Sequence, residues 1–251
     1  MKIFTSITRW QSYRDTLEDG PVGFVPTMGA LHHGHLSLVE ASRKGNALTV
    51  ASIFVNPKQF DDGRDFETYP SDHKSDLEQL ERAGVDAVLM PGAVQIYTDD
   101  YRFKVSESGF SQRLCGAHRP GHFDGVLTVV MRLLNLVRPD NAYFGEKDYQ
   151  QLQLIRDMVA AFFMPVNIMA CATVRETDGL AMSSRNQHLD KKNRAKAASL
   201  YAVLKQSHTA DEARETLTGQ GFDVDYVEDI TNRRLAAARL GNTRLIDNVE
   251  I

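Results

Sequence analysis

Phe24-Val25-Pro26-Thr27-Met28-Gly29-Ala30-Leu31-His32-His33-Gly34-His35 begins as an apolar strand, breaks at a turn carrying Pro and Gly, and leads into a helical pattern from Leu36. At a strand-to-helix turn of this kind, oriented backbone N–H groups and the helix dipole favour an anion. Gly29 and Gly34 would let the backbone approach a phosphate closely. His32 and His35 stand at the helix start, where two imidazoles can donate to phosphoryl oxygens. A zinc reading of the same histidines requires a third ligand, and a helical H-x-x-x-H spacing would serve it better. Surface histidines without a role are the remaining alternative.

Outward from that turn, short apolar runs rich in Val, Ile and Phe recur at 22–26, 47–55, 85–90, 141–144 and 166–174 and predict buried strands. Between them, 36–44, 71–83, 123–137 and 148–163 carry apolar residues at helical spacing. The apolar side of 123–137 reads as a core helix. Alternating strand and helix implies right-handed crossovers and a parallel sheet covered on both faces, with ligands at the carboxyl ends of the strands. The expected fold class is therefore α/β. A Rossmann-like parallel-sheet domain covers 1–174, a hinge and loop 175–185, and a smaller C-terminal α+β lid domain 186–251. In that last part, 191–206 and 210–218 look helical and 224–249 looks like short antiparallel strands.

Composition narrows the function classes. The 251 residues include 42% hydrophobic and 25% charged residues, which excludes a wholly disordered or fibrous chain. With 29 Lys and Arg against 33 Asp and Glu, the formal net charge is -4, so the basic excess of a dedicated nucleic-acid binder is missing. Cys115 and Cys171 form no zinc or disulfide framework and read as reduced. No signal-like leader is seen, and no apolar run approaches the roughly 20 residues of a membrane span. No nucleic-acid or membrane partner is expected, and the default location is cytoplasmic.

The His32-His33-Gly34-His35 signature after a first strand resembles the nucleotidyltransferase superfamily. Four further segments stand in the order found in the pantothenate synthetase family: Ser52 through Phe60, Arg119-Pro120-Gly121-His122-Phe123, Phe144 through Gln151, and Asp178 through Arg185. The ending Arg244-Leu245-Ile246-Asp247-Asn248 is similar to the same family. The resemblance implies an ATP-dependent ligase that converts pantoate to pantoyl adenylate with release of pyrophosphate. β-Alanine then attacks, giving pantothenate, a coenzyme A precursor, and AMP. It also implies a homodimer; Mg²⁺ is expected because ATP carries it and the chemistry needs charge neutralised, and the residues offer no all-protein metal cage.

Position by position, the resemblance makes His35, His32, Lys147 and Arg185 the catalytic residues. ATP would meet Met28, Gly29, Ala30, Leu31, His32, His33, Gly34 and His35, then Gly145, Glu146, Lys147 and Asp148, then Val174, Met182, Ser183, Ser184 and Arg185. Gln59 and Gln151 match the pantoate-binding glutamines, with Asn56 as a further donor. Arg119 and His122 stay open between the site and a loop brace. His33, Lys58 and Ser71 stand where the family commonly carries an acidic residue, Met and a basic residue. Two alternatives remain: another adenylyl-transferring enzyme of coenzyme biosynthesis, and a nucleotide-binding module without turnover.

Overall fold

Strand β2 (Val22–Thr27) is the organising element, buried along nearly its whole length at the middle of a parallel sheet. The computed structural model describes residues 1–17, 20–60 and 66–251. Among them a six-stranded sheet runs in the order β1-β4-β3-β2-β5-β6, where β1 is Lys2–Phe4, β3 Leu48–Ile53, β4 Ala87–Leu89, β5 Asn141–Gly145 and β6 Asn167–Cys171. All its pairings are parallel. The expected α/β class is what is found, with one addition. Strand β1 is absent from the sequence reading because three residues at a sheet edge show no periodicity.

The chain winds from β2 through β3 to β4 on one side and continues with β5 and β6 on the other. The strand order therefore reverses between β2 and β5, and a crevice opens at their carboxyl ends. Pro26 widens it. Val22 O accepts from Asp140 N on the β5 side, and two-residue alternation turns Pro26 to that same side, where it has no N–H to give. The β2–β5 register accordingly covers only Gly23↔Asn141 and Phe24↔Ala142, while β2 and β3 stay paired through Thr27↔Ile53.

Helices cover both faces. His33–Gly45 and His73–Arg82 pack with Val25, Ala51 and Val88 in one apolar cluster. His122–Val137 and Tyr149–Ala161 pack in the main cluster with Trp10 and Phe24. The helical run expected over 191–206 is two helices, Lys191–Ala197 and Ser199–Gln206, followed by Ala210–Gly219.

Strands β7 (Asp223–Ile230), β8 (Arg233–Leu240) and β9 (Thr243–Glu250) form an antiparallel sheet. β8 is buried on both faces. Leu235 and Ala237 join the main cluster, and the alternate residues Ala236, Ala238 and Leu240 join a second cluster with Leu200, Leu204 and Leu217. This sheet shares the core of the first and is docked on it, an arrangement the texture change after Arg185 did not reveal. The segment expected as a hinge is also tied down, with Arg175 in a two-toothed ion pair with buried Asp247.

Candidate active site

The helix after β2 caps itself with imidazoles. His32 is its N-cap residue, and its Nδ1 accepts from Gly34 N at 3.1 Å. His35 Nδ1 accepts from His32 N at 3.4 Å, so the two side chains make a reciprocal capping box with ring centroids 4.1 Å apart. Burial, then Lys147, lowers the His32 pKa to about 4; burial, then His32, lowers that of His35 to about 3. Both rings are therefore neutral near pH 7. With Nδ1 accepting in each, the proton of each ring sits on Nε2. The pair is thus built as two neutral N–H donors, and neither ring is an imidazolium in the unliganded protein.

The glycine-rich turn does not offer the free backbone donors that its composition suggests. Gly29 N donates to Thr27 Oγ1, Ala30 N and Leu31 N to the carboxylate of Asp76, and His35 N to His32 O. The amides of His32 and Gly34 go to the two imidazoles. Gly29, Ala30, Leu31 and His33, expected at the nucleotide, do not line the cleft; Met28, His32, Gly34 and His35 do. Donation to a phosphate would come mainly from ring Nε2–H groups, because the amides of Gly29, Ala30, Leu31, His32, Gly34 and His35 are already spent.

The cleft has a volume of about 250 Å³ and lies at the β2/β5 reversal. Gly145, Lys147 and Asp148, at the end of β5, line one side. Lys147 Nζ lies 3.7 Å from Asp148 Oδ2. Asn248 of β9 donates to the carbonyls of both Glu146 and Lys147, at 2.9 and 3.1 Å, and holds this loop from outside. Glu146 does not line the cleft; its carboxylate meets Arg233 at 3.2 Å. Val174, Met182, Ser183, Ser184 and Arg185 form the opposite rim, stitched by Met182 N to Val174 O. The Arg185 guanidinium stands 5.7 Å from the Tyr69 ring centre.

Gln59 and Gln151 line the third side. The adjacent Gln150 is buried and spent on Cys115 N, Phe110 O and Arg113 O. Asn56 is 1% exposed and its amide is fully occupied: Oδ1 accepts from Lys58 N and Tyr97 OH, while Nδ2 donates to Gly125 O and Gln59 Oε1. It orients Gln59 and has no donor left for a ligand. Because Asn56 takes the Gln59 oxygen, the Gln59 NH₂ is the end left for the cleft. His122 Nδ1 donates to Gln59 O at 2.7 Å and Arg119 reaches the same carbonyl at 3.3 Å, so both brace this loop while lining the cleft.

Sequence reading missed two contributions. The helix His122–Val137, read as core alone, gives Val126, Val129 and Val130 to the cleft floor. Gly125 permits this packing, since a Cβ there would stand 2.2 Å from Lys58 O. Asp76 is the other, an acid on a distant helix whose role is visible only through the backbone it holds. Among the described residues no group of three or more His, Cys, Asp or Glu could hold a metal ion, and no helix is long and apolar enough to cross a membrane.

A sequence profile of the Pantoate-beta-alanine ligase family matches residues 2–250. The pantothenate synthetase of Bdellovibrio bacteriovorus is 54% identical over 250 residues, covering 100% of this chain and 99% of that protein. That of Legionella pneumophila is 48% identical over 249 residues, with 99% of each covered. Among solved structures, the pantoate-beta-alanine ligase from Francisella tularensis, complexed with beta-gamma ATP and beta-alanine, superposes with a TM-score of 0.95 at 38% identity, covering 100% of this chain and 97% of that one.

Proposed function

This chain belongs to the pantoate-beta-alanine ligase family, and from that premise we infer that its cleft joins pantoate to β-alanine at the expense of ATP. A carboxylate is a poor acyl electrophile. In the proposed route pantoate attacks the α-phosphate of ATP, pyrophosphate leaves, and the resulting acyl adenylate carries AMP as a good leaving group. The amine of β-alanine then attacks the acyl carbon and AMP departs.

The observation that carries this reading is the meeting of neutral imidazole donors, a lysine and two glutamines at the strand-order reversal. Phosphoryl transfer asks the protein for alignment and for charge stabilisation on oxygens, which fixed N–H donors provide. His32 and His35 act as such donors, and adenylation of a carboxylate needs no proton from them. Lys147 and Arg185 meet the phosphates, Ser183 and Ser184 flank them, and Val174 and Met182 border the base. Gln59 and Gln151 meet the oxygens of pantoate, while Val126, Val129 and Val130 suit its paired methyl groups. Mg²⁺ enters with ATP as part of the substrate.

In the same proposal residues 1–174 bind ATP and pantoate, 175–185 carry an ATP loop, and 186–251 cover the cleft. The ties of Asn248 and Arg175 support a docked cover. A homodimer is supported by the edge position of β6 together with exposed Phe162, Phe163 and Met169, since an apolar sheet edge is otherwise a liability. The unpaired thiols Cys115 and Cys171 fit a cytoplasmic site of action.

Isotope exchange between pyrophosphate and ATP tests the route. Pantoate without β-alanine should support exchange, because adenylation precedes the amine. Exchange that strictly requires β-alanine refutes the adenylate step, and exchange indifferent to pantoate favours a different adenylyl-transferring enzyme.

A further inference from the structure

Asp76 is a carboxylate with 2% exposure on the helix His73–Arg82. A buried charge is costly unless hydrogen bonds compensate it. Its compensation is two backbone amides: Oδ2 accepts from Ala30 N at 3.0 Å and Oδ1 from Leu31 N at 2.8 Å. Those amides belong to a turn with unusual backbone, Gly29 at φ +82° and Ala30 at φ +51°. The left-handed region is unfavourable for alanine and persists only where the surroundings impose it. The fit is close, since a Cβ on Gly29 would stand 2.7 Å from Asp76 Oδ2. The next residue along is His32, whose extended backbone starts the helix and whose N–H fixes the His35 ring.

We propose that Asp76 is a positioning residue for the reaction: by clamping Ala30 and Leu31 it sets the direction in which the Nε2–H groups of His32 and His35 enter the cleft. Asp76 is absent from the cleft wall and acts through that backbone. Both oxygens of a carboxylate accept, so aspartate suits two adjacent N–H groups; asparagine would turn an NH₂ toward one of them. The catalytic consequence rests on the functional reading above, whereas the clamp itself does not.

The test uses the full-length protein. Asp76→Asn should remain folded by circular dichroism and lose on the order of 10²-fold in kcat of pantoate-dependent pyrophosphate exchange, the scale of a small misplacement of reacting groups. The KM for ATP should move far less. Ring-nitrogen NMR should show that His32 and His35 no longer hold a single Nε2–H form. Adding Ala30→Gly, which relieves the left-handed backbone, should restore part of kcat. A folded Asp76→Asn protein with wild-type kcat and unchanged ring spectra overturns the proposal, as does a lowered Tm with neither readout changed. If the variant does not fold, amide hydrogen exchange on the wild type decides. Ala30 and Leu31 must exchange as slowly as core strand amides, and exchange at open-loop rates overturns the clamp. A wild type without exchange activity refutes the functional reading instead, leaving the ring spectra and amides to judge Asp76.

Discussion

Replacing Arg175 with alanine strands a buried charge. Its guanidinium meets Asp247 through NH1–Oδ2 at 2.6 Å and NH2–Oδ1 at 2.8 Å, and the Asp247 side chain is 1% exposed. The same group donates to Gly179 O at 3.1 Å and Asn248 O at 3.3 Å, and it stacks 3.7 Å from the Tyr201 ring centre. Removing one partner of a buried pair costs about 3–5 kcal/mol, because the other charge stays behind uncompensated. Asp247 keeps the amide of Asn248, so the lower end, about 3 kcal/mol, is expected. For a chain of this size that corresponds to a Tm roughly 6–12 °C lower. Urea unfolding of Arg175→Ala beside Arg175→Ala/Asp247→Asn measures it, and the double variant should recover part of the loss since no full charge remains. A loss below about 1 kcal/mol for the single variant would mean that water reaches Asp247, and the account of a docked cover would fail.

The low pKa values of His32 and His35, about 4 and about 3, predict that neither ring titrates in an NMR series from pH 8 to 5. The unfolded chain protonates its imidazoles near 6.5 and so holds more protons than the native state below that pH, making stability rise with pH from about 4 to 6.5 and fall on acidification. Titration of either ring near 6.5 would contradict the neutral-donor assignment. For the dimer, Phe163→Glu should shift the sedimentation coefficient to that of a monomer without unfolding the chain, and a wild type that sediments as a monomer removes the proposal.

The frame was legible because its signals are local. The apolar run at 22–26 and the three-and-four spacing of 123–137 each announce their element, and the alternation of strand and helix points to the carboxyl-end crevice. What stayed hidden depends on distant partners. Gly29, Ala30 and Leu31 look like a phosphate-binding turn in sequence, yet Thr27 occupies the Gly29 amide and Asp76, about 45 positions away, occupies those of Ala30 and Leu31. Asn56 looks like a donor, but Gly125 O and Gln59 Oε1 take its NH₂ group. The residues 224–249 read as short antiparallel strands without revealing that Leu235 and Ala237 belong to the core of the parallel sheet. A fragment ending near residue 186 would therefore expose that core, which makes the C-terminal sheet a poor candidate for removal.

Asn248 bears on the order in which the molecule comes into being. Its amide joins the Glu146 and Lys147 carbonyls across about a hundred residues of chain, and among the residues that build the cleft it is the last to leave the ribosome. A nascent polypeptide still short of β9 can wind its parallel sheet, but the Glu146 and Lys147 carbonyls lack the Asn248 amide until that strand arrives. Assembly of the Lys147 side of the cleft is thus coupled to the synthesis of β9, and chains that stop before this strand lack that tie.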